Sequence, residues 1–488
     1  MALKRGLRFL SFLFLTCVMN WGNTPIHNPR GFDKEIFRYI GRLILEGGVP
    51  YRDAFDIKPP VIFYITALGE LGGIWGNWFV FSFFIALAAW IFFERFSRIH
   101  LGAAFFSIFL FLGLMCNPTI SEGGGLTRIL SASFVLILMA SIVDENNHYR
   151  DLFIGGFCAL IFLTQQNEIF GLLPTVSIYL LRTKRKSASL LAMIFAGGLV
   201  TLLLCAFYMV NGAMTDLWKD AFLYNIYFHV RWEHQTLIQV VQDFMVKMRE
   251  YRLLWISVTI MTLTIVLNFK NLNKRPLIAG CFLGIFLQGW AISLSHRYYA
   301  HYFHGLLPYL CVLSFYMASE VWTWSKKPTY SVLSLSSLFL GIAYFSPMES
   351  ISTKINLLRA PLSQSAYLNS LPRLQSYLSN VRGRKGQFMI IRNAEALPLN
   401  IDFRIMAPNK WLTQEFMGDP KFEKMFGDFS EILDGLEEFR TRYILDYLQS
   451  SPLSNPTEHA LMKNYLDANY YVVETDTAKK WRFLERKP

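Results

Sequence analysis

Cysteine is scarce in this sequence, and none of it lies where a disulfide would form. All six cysteines sit in apolar stretches rather than in loops. They are Cys17, Cys116, Cys158, Cys205, Cys281 and Cys311. These positions support neither a disulfide framework nor a zinc-binding spacing. The sequence is therefore not that of a disulfide-stapled secreted protein.

Charged residues are also few, at 17% of the chain, whereas 53% of its 488 residues are hydrophobic and 16% are aromatic. This composition and a mean hydropathy of +0.31 are typical of a polytopic membrane protein. Since about 20 apolar residues cross a bilayer core, the sequence predicts about 11 transmembrane helices. The predicted spans lie near residues 7–23, 77–94, 101–117, 126–143, 150–165, 167–182, 188–210, 252–269, 276–294, 303–322 and 330–347. No small-x-small cleavage site follows the first span, so we expect it to remain uncleaved.

The formal charge of +12 comes from basic residues that flank these spans on alternate loops. The basic residues are Lys4, Arg5 and Arg8, then Arg95 and Arg98, Arg150, Arg182 and Lys184 to Lys186, Lys270, Lys274 and Arg275, and finally Lys326 and Lys327. By the positive-inside rule they are cytoplasmic, which predicts a cytoplasmic N-terminus in a multi-pass protein of the bacterial inner (plasma) membrane. The basic residues therefore indicate the membrane topology, and we expect no nucleic-acid partner.

The character of the sequence changes after Ser346, where charged residues become frequent and no run is long enough to span. We therefore predict a transmembrane domain over residues 1–348 and a small soluble α/β domain over 349–488, on the periplasmic or extracellular side. Its predicted strands are 388–391, 443–448, 470–474 and 481–485, and its predicted helices are 430–439 and 458–466. The second domain lacks a glycine-rich phosphate loop and a nucleophile elbow, which favours stability or acceptor handling over chemistry.

The segment Asn28 to Pro60 is too charged to lie in hydrocarbon, and its apolar residues recur at helical spacing. The apolar positions are Ile36, Tyr39, Ile40, Leu43 and Ile44, and the ionisable ones include Asp33, Glu35, Glu46, Arg52, Asp53, Asp56 and Lys58. A helix at the membrane surface is predicted. Because ionisable groups beside a bilayer are rarely kept without a use, the segment is the first candidate for a functional site.

This loop resembles the first periplasmic loop of bacterial GT-C glycosyltransferases of the dolichyl-phosphate-mannose protein mannosyltransferase-like group. The resemblance rests on Asp33, Phe37, Gly41, Leu45, Gly47, Pro50, Tyr51, Arg52, Asp53, Asp56, Lys58, Pro59 and Pro60. It extends to the motifs SEGGG, TQQNEIFGLLP and RYYAHYFHGLLP and to the soluble tail, so it covers nearly the whole chain. It implies an inverting transferase that moves a single hexosyl or pentosyl group from a polyprenyl-phosphate carrier to a hydroxyl of an envelope lipid, glycan or protein.

The resemblance implies that Asp33 takes the proton of the acceptor hydroxyl as its oxygen attacks the sugar. The alternative is that Asp33 only caps the helix beginning at Lys34. Glu122, followed by three glycines that let backbone approach a ligand, is a candidate second catalytic or substrate carboxylate. Otherwise it is a solvated turn residue.

The carrier phosphate needs cations, and Arg297, His301 and His304 are spaced to lie on one side of a helix. Together with Lys58 they are the predicted phosphate-binding set, since the guanidinium fork suits phosphate. The predicted substrate-binding residues are Glu35, Arg52, Asp53, Asp56 and Tyr298. The alternatives to these binding roles are interfacial anchoring, local ion pairs, or metal binding by His296, His301 and His304. No cofactor is implied, although a divalent cation is possible.

Three other functional classes remain open at this point. Many spans with a few intramembrane charges also describe a transporter or flippase, although the charges here concentrate in outer loops. A polysaccharide ligase or polymerase would transfer a whole glycan from a carrier pyrophosphate. A noncatalytic scaffold on the same fold is the third.

Overall fold

The computed structural model describes residues 2–27, 32–143, 149–229, 237–251, 253–269, 275–294, 298–324, 372–392, 396–411, 429–449, 451–453, 455–476 and 481–488. Helices fill most of the chain up to Trp324. They are α1 (Ala2–Met19), α2 (Phe32–Leu45), α3 (Val61–Glu70), α4 (Gly73–Phe96), α5 (Leu101–Met115), α6 (Pro118–Ser121), α7 (Thr127–Val143), α8 (Arg150–Phe162), α9 (Glu168–Arg182), α10 (Lys186–Val210), α11 (Met214–Leu217), α12 (Leu237–Glu250), α13 (Leu253–Asn268), α14 (Pro276–Ser293) and α15 (Leu307–Trp324). Short 3₁₀ segments cover Asn20–Asn23 and Ala300–Leu306, and π-helical turns cover Trp218–Leu223 and Asn225–His229.

Each predicted span up to residue 322 falls on a helix, and the span predicted at 330–347 lies outside the described residues. In the part of the chain that the structure describes, four helices are long and apolar enough to cross a membrane, namely α4, α10, α14 and Ala300–Thr323. Counting the bent pair Val241–Glu250 and Leu253–Asn268 as one span gives a fifth. The chain is a multi-pass membrane protein, and the total of about 11 spans stays a prediction.

The helices pack in pairs that bury small residues where the backbones approach. The pairs include α4 with α7, α8 with α10, α9 with α14, and α5 with α15. At Gly155 of α8 an added Cβ would lie 2.2 Å from the backbone oxygen of Met193 in α10. Only glycine fits so close a crossing, which is the usual way that membrane helices gain packing without a hydrophobic driving force.

The C-terminal part contains the predicted strands and helices. Its elements are α16 (Pro372–Ser379), β1 (Phe388–Ile391), α17 (Pro398–Phe403), α18 (Ser430–Glu438), β2 (Tyr443–Asp446), α19 (Pro456–Asn469), β3 (Tyr470–Asp476) and β4 (Trp481–Arg486). The sheet order is β1-β2-β4-β3, with β1 and β2 parallel and the other pairs antiparallel. Each predicted strand and helix of this region falls on an element of the same kind, whereas the soluble α/β domain stays a prediction and its boundary at residue 348 lies outside the described residues.

The C-terminal part packs directly on the charged loop. The amide of Ala407 donates to the hydroxyl oxygen of Tyr39 in α2 at 2.7 Å, and the amide of Phe55 donates to the carbonyl of Lys410 at 2.7 Å. The ring of Phe55 lies 5.0 Å from that of Trp411. We call the end of the helical region that carries α2, this sheet and Glu122 the loop end.

A Tyr39→Phe substitution tests this docking. Tyr39 is buried, and the change leaves the amide of Ala407 without its acceptor, which costs about 1–3 kcal/mol for a buried donor. We expect a lower melting temperature in detergent. Tyr471→Phe is the control, because the exposed hydroxyl of Tyr471 bonds only to Glu485 at the surface. Equal melting temperatures for both variants would argue against a stabilising role for the contact.

Candidate functional site

The loop after α2 brings Lys58 to Asp33. The ammonium nitrogen of Lys58 lies 3.9 Å from Oδ2 of Asp33, and Lys58 is 13% exposed and Asp33 34%. The buried Tyr51 holds the loop by donating its hydroxyl to the carbonyl of Lys58 at 2.6 Å. Asp56 accepts from the backbone amide of Lys58 at 2.7 Å. The carboxylate and the ammonium are therefore positioned by a folded loop rather than by free side chains.

Asp33 lies inside the first turn of α2, which begins at Phe32, two residues earlier than the helix start predicted at Lys34. A carboxylate is favoured there by the partial positive charge of the helix N-terminus. Asp33 is therefore a first-turn residue of α2 rather than the residue that caps it. Its side chain remains accessible to solvent.

Burial and neighbouring charged groups have opposite effects on the pKa values of both Lys58 and Asp56. Burial disfavours the Lys58 ammonium, but Asp33, Tyr302 and Asp56 outweigh it and raise the pKa of Lys58 above its usual value. Burial raises the pKa of Asp56 to about 7, although the backbone amide and the charge of Lys58 pull it down. Lys58 is thus a persistent cation, and Asp56 is a carboxyl poised to titrate near neutrality.

Glu122 meets His301 across the molecule. Nδ1 of His301 lies 2.9 Å from Oε2 of Glu122. Glu122 has φ 46°, and the three glycines that follow it also have positive φ, so the SEGGG turn bends sharply between α6 and α7. Burial opposes ionisation of Glu122, but the hydrogen bond and charge of His301 leave the pKa of this carboxyl below its usual value. Glu122 and His301 thus belong to one wall, built from α6 and the 3₁₀ segment.

Arg128 is the site residue that the sequence predictions omitted. It lies near the start of α7, is 1% exposed, and forms an ion pair with the buried Glu168 of α9. Its guanidinium lies 4.9 Å from the centre of the Tyr302 ring, next to His301 in the 3₁₀ segment. Arg128 and Tyr302 both act electrostatically on Lys58. An arginine placed directly after SEGGG and entering an apolar run is the signal that could have revealed it.

Three predicted substrate-binding residues have protein partners of their own. Glu35 is fully buried and pairs with Arg38 at 2.8 Å, which also reaches Glu70 at 2.8 Å. Arg52 pairs with Asp53 at 2.7 Å and donates to the carbonyl of Asn211 at 3.1 Å. The structure thus places Glu35 in a buried network and Arg52 with Asp53 in a local pair, apart from the contact between Asp33 and Lys58.

The two histidines of the predicted phosphate-binding set, His301 and His304, have different surroundings in the structure. His301 and His304 both lie on a 3₁₀ segment, where residues three apart share a face. However, His304 is fully buried, and its Nδ1 donates to the carbonyl of His301 at 3.0 Å. Tyr298 accepts from the hydroxyl of Tyr251 through its backbone carbonyl at 3.4 Å. Arg297 and His296 lie outside the described residues.

Among the residues that the structure describes, no group of three or more His, Cys, Asp or Glu side chains is arranged to hold a metal ion. The charged groups that do converge are Asp33, Asp56, Lys58, Glu122, Arg128, Glu168 and His301. Lys58 and Arg128 supply two cations beside the Tyr302 ring, and Asp33 and Glu122 supply two partly exposed carboxylates, so this group can hold an anion and accept a proton in the same place. We call this group the charged site.

The fold is similar to that of ArnT from Cupriavidus metallidurans. The crystal structure of ArnT bound to undecaprenyl phosphate matches with a TM-score of 0.58 at 12% identity, over 97% of each chain. The structure of the same protein in the apo state matches with a TM-score of 0.57 at 14% identity, again over 97% of each chain. No family model matches the sequence, and no curated protein matches it. Since both chains match along almost their whole length, this chain shares the overall fold of ArnT.

Proposed function

We propose that the protein is an inverting glycosyltransferase that moves a single sugar from a polyprenyl-phosphate carrier to a hydroxyl acceptor. The observation that carries this proposal is the contact between the accessible Asp33 and the buried cation Lys58, beside Arg128 and Tyr302. Such a transfer requires a base for the acceptor proton and cations for the carrier phosphate, and both kinds of group are present here. The undecaprenyl phosphate bound by ArnT, a protein of the same fold, supports the lipid class of the donor.

Lys58 and Arg128 hold the carrier phosphate in this proposal. Lys58 stays charged, and Arg128 offers a planar fork of donors whose charge is balanced by Glu168. As the bond between the sugar carbon and the phosphate oxygen breaks, its electron pair leaves with the phosphate. Cations already placed in a buried site stabilise that developing charge without reorganisation.

Asp33 acts as the base. The acceptor oxygen attacks the anomeric carbon from the face opposite the phosphate, forming the new glycosidic bond with inversion. The hydroxyl proton passes to the Asp33 carboxylate, which the ammonium of Lys58 holds in place before donor arrives. The products are the glycosylated acceptor and the free carrier phosphate.

Glu122 and His301 form the second wall of the site and position the donor or the acceptor. Their contact of 2.9 Å keeps the carboxylate oriented, and Glu122 remains 39% exposed, so it can reach a sugar hydroxyl. Asp56 orders Lys58, whereas Glu35, Arg52, Asp53 and Tyr298 support the loop and the 3₁₀ segment. Arg297 keeps its predicted role as a further phosphate ligand, whereas the buried His304 acts only by bonding to the carbonyl of His301.

The proposal places the loop end at the periplasmic face of a bacterial inner membrane, with the N-terminus cytoplasmic, as the basic loops predict. The carrier lipid then approaches from the outer leaflet. The mannosyltransferase-like grouping stays part of the proposal, and the C-terminal α/β part, which packs on α2, serves stability or the acceptor.

A transfer assay tests the proposed function. Purified protein in native lipid is incubated with a panel of labelled polyprenyl-phosphate sugars and an extract of the bacterial envelope. We expect label to move to an acceptor as one added sugar, with release of carrier phosphate. Transfer of a whole glycan from a carrier pyrophosphate would instead identify a ligase. Movement of intact donor across the bilayer without cleavage would identify a flippase and overturn the proposal.

The raised pKa of Asp56 predicts a pH dependence of donor binding. Asp56 faces Lys58, Asp33 and the nearby Asp220. A carboxyl whose pKa is raised to about 7 is neutral below that pH and ionised above it, so it competes with the donor phosphate for Lys58 only as pH rises. We expect the KM for donor to rise about threefold to tenfold between about pH 6 and about pH 8.

An Asp56→Asn protein is the matched comparison, because every other ionisable group of the site is unchanged in it. Its KM should change less over the same range, and the difference between the two profiles reports Asp56 alone. The donor is a phosphodiester and keeps its charge throughout. Parallel profiles for the two proteins would remove Asp56 as the titrating group.

A further inference from the structure

A cavity apart from the charged site lies at the end of the helical region opposite the loop end. Helix α4 begins at Gly73, near Glu70 of the α2 network, and its 24 residues extend about 36 Å away from it. The cavity lies where α4 finishes, between α1, α7 and α8. It is therefore separated from the charged site by about the thickness of a bilayer core.

The cavity has a volume of about 290 Å³, close to the lower end of ordinary small-molecule sites. Its lining combines three arginines with three aromatic side chains. They are Arg5, Arg95, Arg98, Trp90, Phe153 and Phe157. An apolar wall beside a cluster of guanidinium groups is suited to a ligand with one anionic end and one apolar end.

Glu94 also lines the cavity, and its carboxylate pairs with Arg8 at 3.0 Å, which ties α1 to α4. The rings of Phe9 and Trp90, 5.5 Å apart, strengthen the same junction. Besides Glu94, three arginines line the cavity, and their planar forks match the oxygens of a phosphodiester.

The apolar part of the site continues onto the membrane-facing surface. Phe153 of α8 lines the cavity and is 50% exposed, and its neighbour Leu152 is 37% exposed. A ligand whose anionic group enters among the arginines could therefore extend its hydrocarbon along α8. This continuity points to a lipid rather than to a small soluble phosphate.

We propose that this cavity binds the phosphodiester headgroup of an anionic phospholipid from the membrane leaflet opposite the charged site. The site is independent of sugar transfer, because none of its residues belongs to the charged site. One phospholipid held between α1, α4, α7 and α8 would join the first helix to the rest of the bundle.

Native mass spectrometry of the full chain tests the proposal. The protein is stripped of lipid in detergent and titrated with phosphatidylglycerol or with phosphatidylcholine of the same acyl chains. We expect one tightly bound phosphatidylglycerol and at least tenfold weaker retention of phosphatidylcholine. In a protein with Arg5, Arg95 and Arg98 all changed to glutamine, the phosphatidylglycerol affinity should fall at least tenfold.

Two further proteins separate a built site from general attraction to positive charge. Changing Lys184, Arg185 and Lys186 to glutamine removes the same charge from the turn between α9 and α10, and it should alter affinity less than twofold. Ser141, on α7, also lines the cavity, so Ser141→Trp fills it while keeping every arginine. That variant should lose the bound lipid, and it serves as the test if the triple arginine variant does not fold.

Each contrary result overturns a stated part of the proposal. Equal losses in the two triple variants would mean that only diffuse charge attracts the lipid. Equal retention of phosphatidylcholine would mean that the arginines do not select the headgroup. Displacement of the lipid by inorganic phosphate at matched concentration would identify a soluble phosphate as the ligand instead.

Discussion

An Asp33→Asn protein is expected to transfer sugar about 10²- to 10⁴-fold more slowly in kcat, the range typical of a lost general base. Asparagine keeps the shape of aspartate and is accepted at a helix start, so α2 should form as before. It cannot accept the acceptor proton. Because the substitution also removes the anion that pairs with Lys58 at 3.9 Å, donor binding should be unchanged or tighter.

The measurement is therefore a split between kcat and donor affinity in the same protein. Glu46→Gln is the matched control, since Glu46 lies just after the same helix and pairs only with Arg42 at the surface. An exposed change of this kind is worth less than about 0.5 kcal/mol, or about a twofold change in rate. If Asp33→Asn keeps full kcat, another carboxylate must take the proton, and Glu122 is the next to test.

Local sequence pattern predicted the elements of this fold well, because burial in a membrane or in a small sheet repeats at short range. Ile36, Tyr39, Ile40 and Leu43 recur at helical spacing and are all buried in α2. Helix α3 was missed, since its 10 residues are too short for a window of about 20.

The prediction of the buried face of α2 left out two charged residues, because their partner belongs to α3. Glu35 and Arg38 lie on the same helix and are nearly as buried as its apolar residues. Their partner Glu70 is supplied by α3, which the sequence windows did not detect. A charged residue can be buried only when a partner arrives from another element, and that partner is invisible to periodicity.

In the charged site too, contacts within one loop could be predicted from the sequence, whereas contacts between distant residues could not. Asp33 and Lys58 came from one loop and from the family resemblance, and they do approach each other. The contact between His301 and Glu122 joins residues 179 positions apart, a separation that no local spacing encodes. Residue spacing placed His301 and His304 on one face, but only the packing of the 3₁₀ segment decides that His304 turns into the core.

The last prediction concerns Arg128, whose replacement by glutamine is expected to have two effects. It removes a cation from beside Tyr302 and the donor phosphate, which should lower transfer about 10²- to 10³-fold, as for one lost stabilising donor. It also leaves the fully buried Glu168 without its partner, which should cost about 3–5 kcal/mol of stability. A loss of activity in this protein alone would not separate the two.

The double variant Arg128→Gln with Glu168→Gln separates them. Removing both charges leaves two neutral amides that can hydrogen-bond, so the melting temperature should return towards that of the unmodified protein, since neutral replacement of a buried pair is often tolerated. Transfer should stay low, because the phosphate still lacks its second cation. Recovery of transfer together with stability would show that Arg128 only supports the packing of α7 on α9, and Lys58 would then be the principal cation for the carrier phosphate.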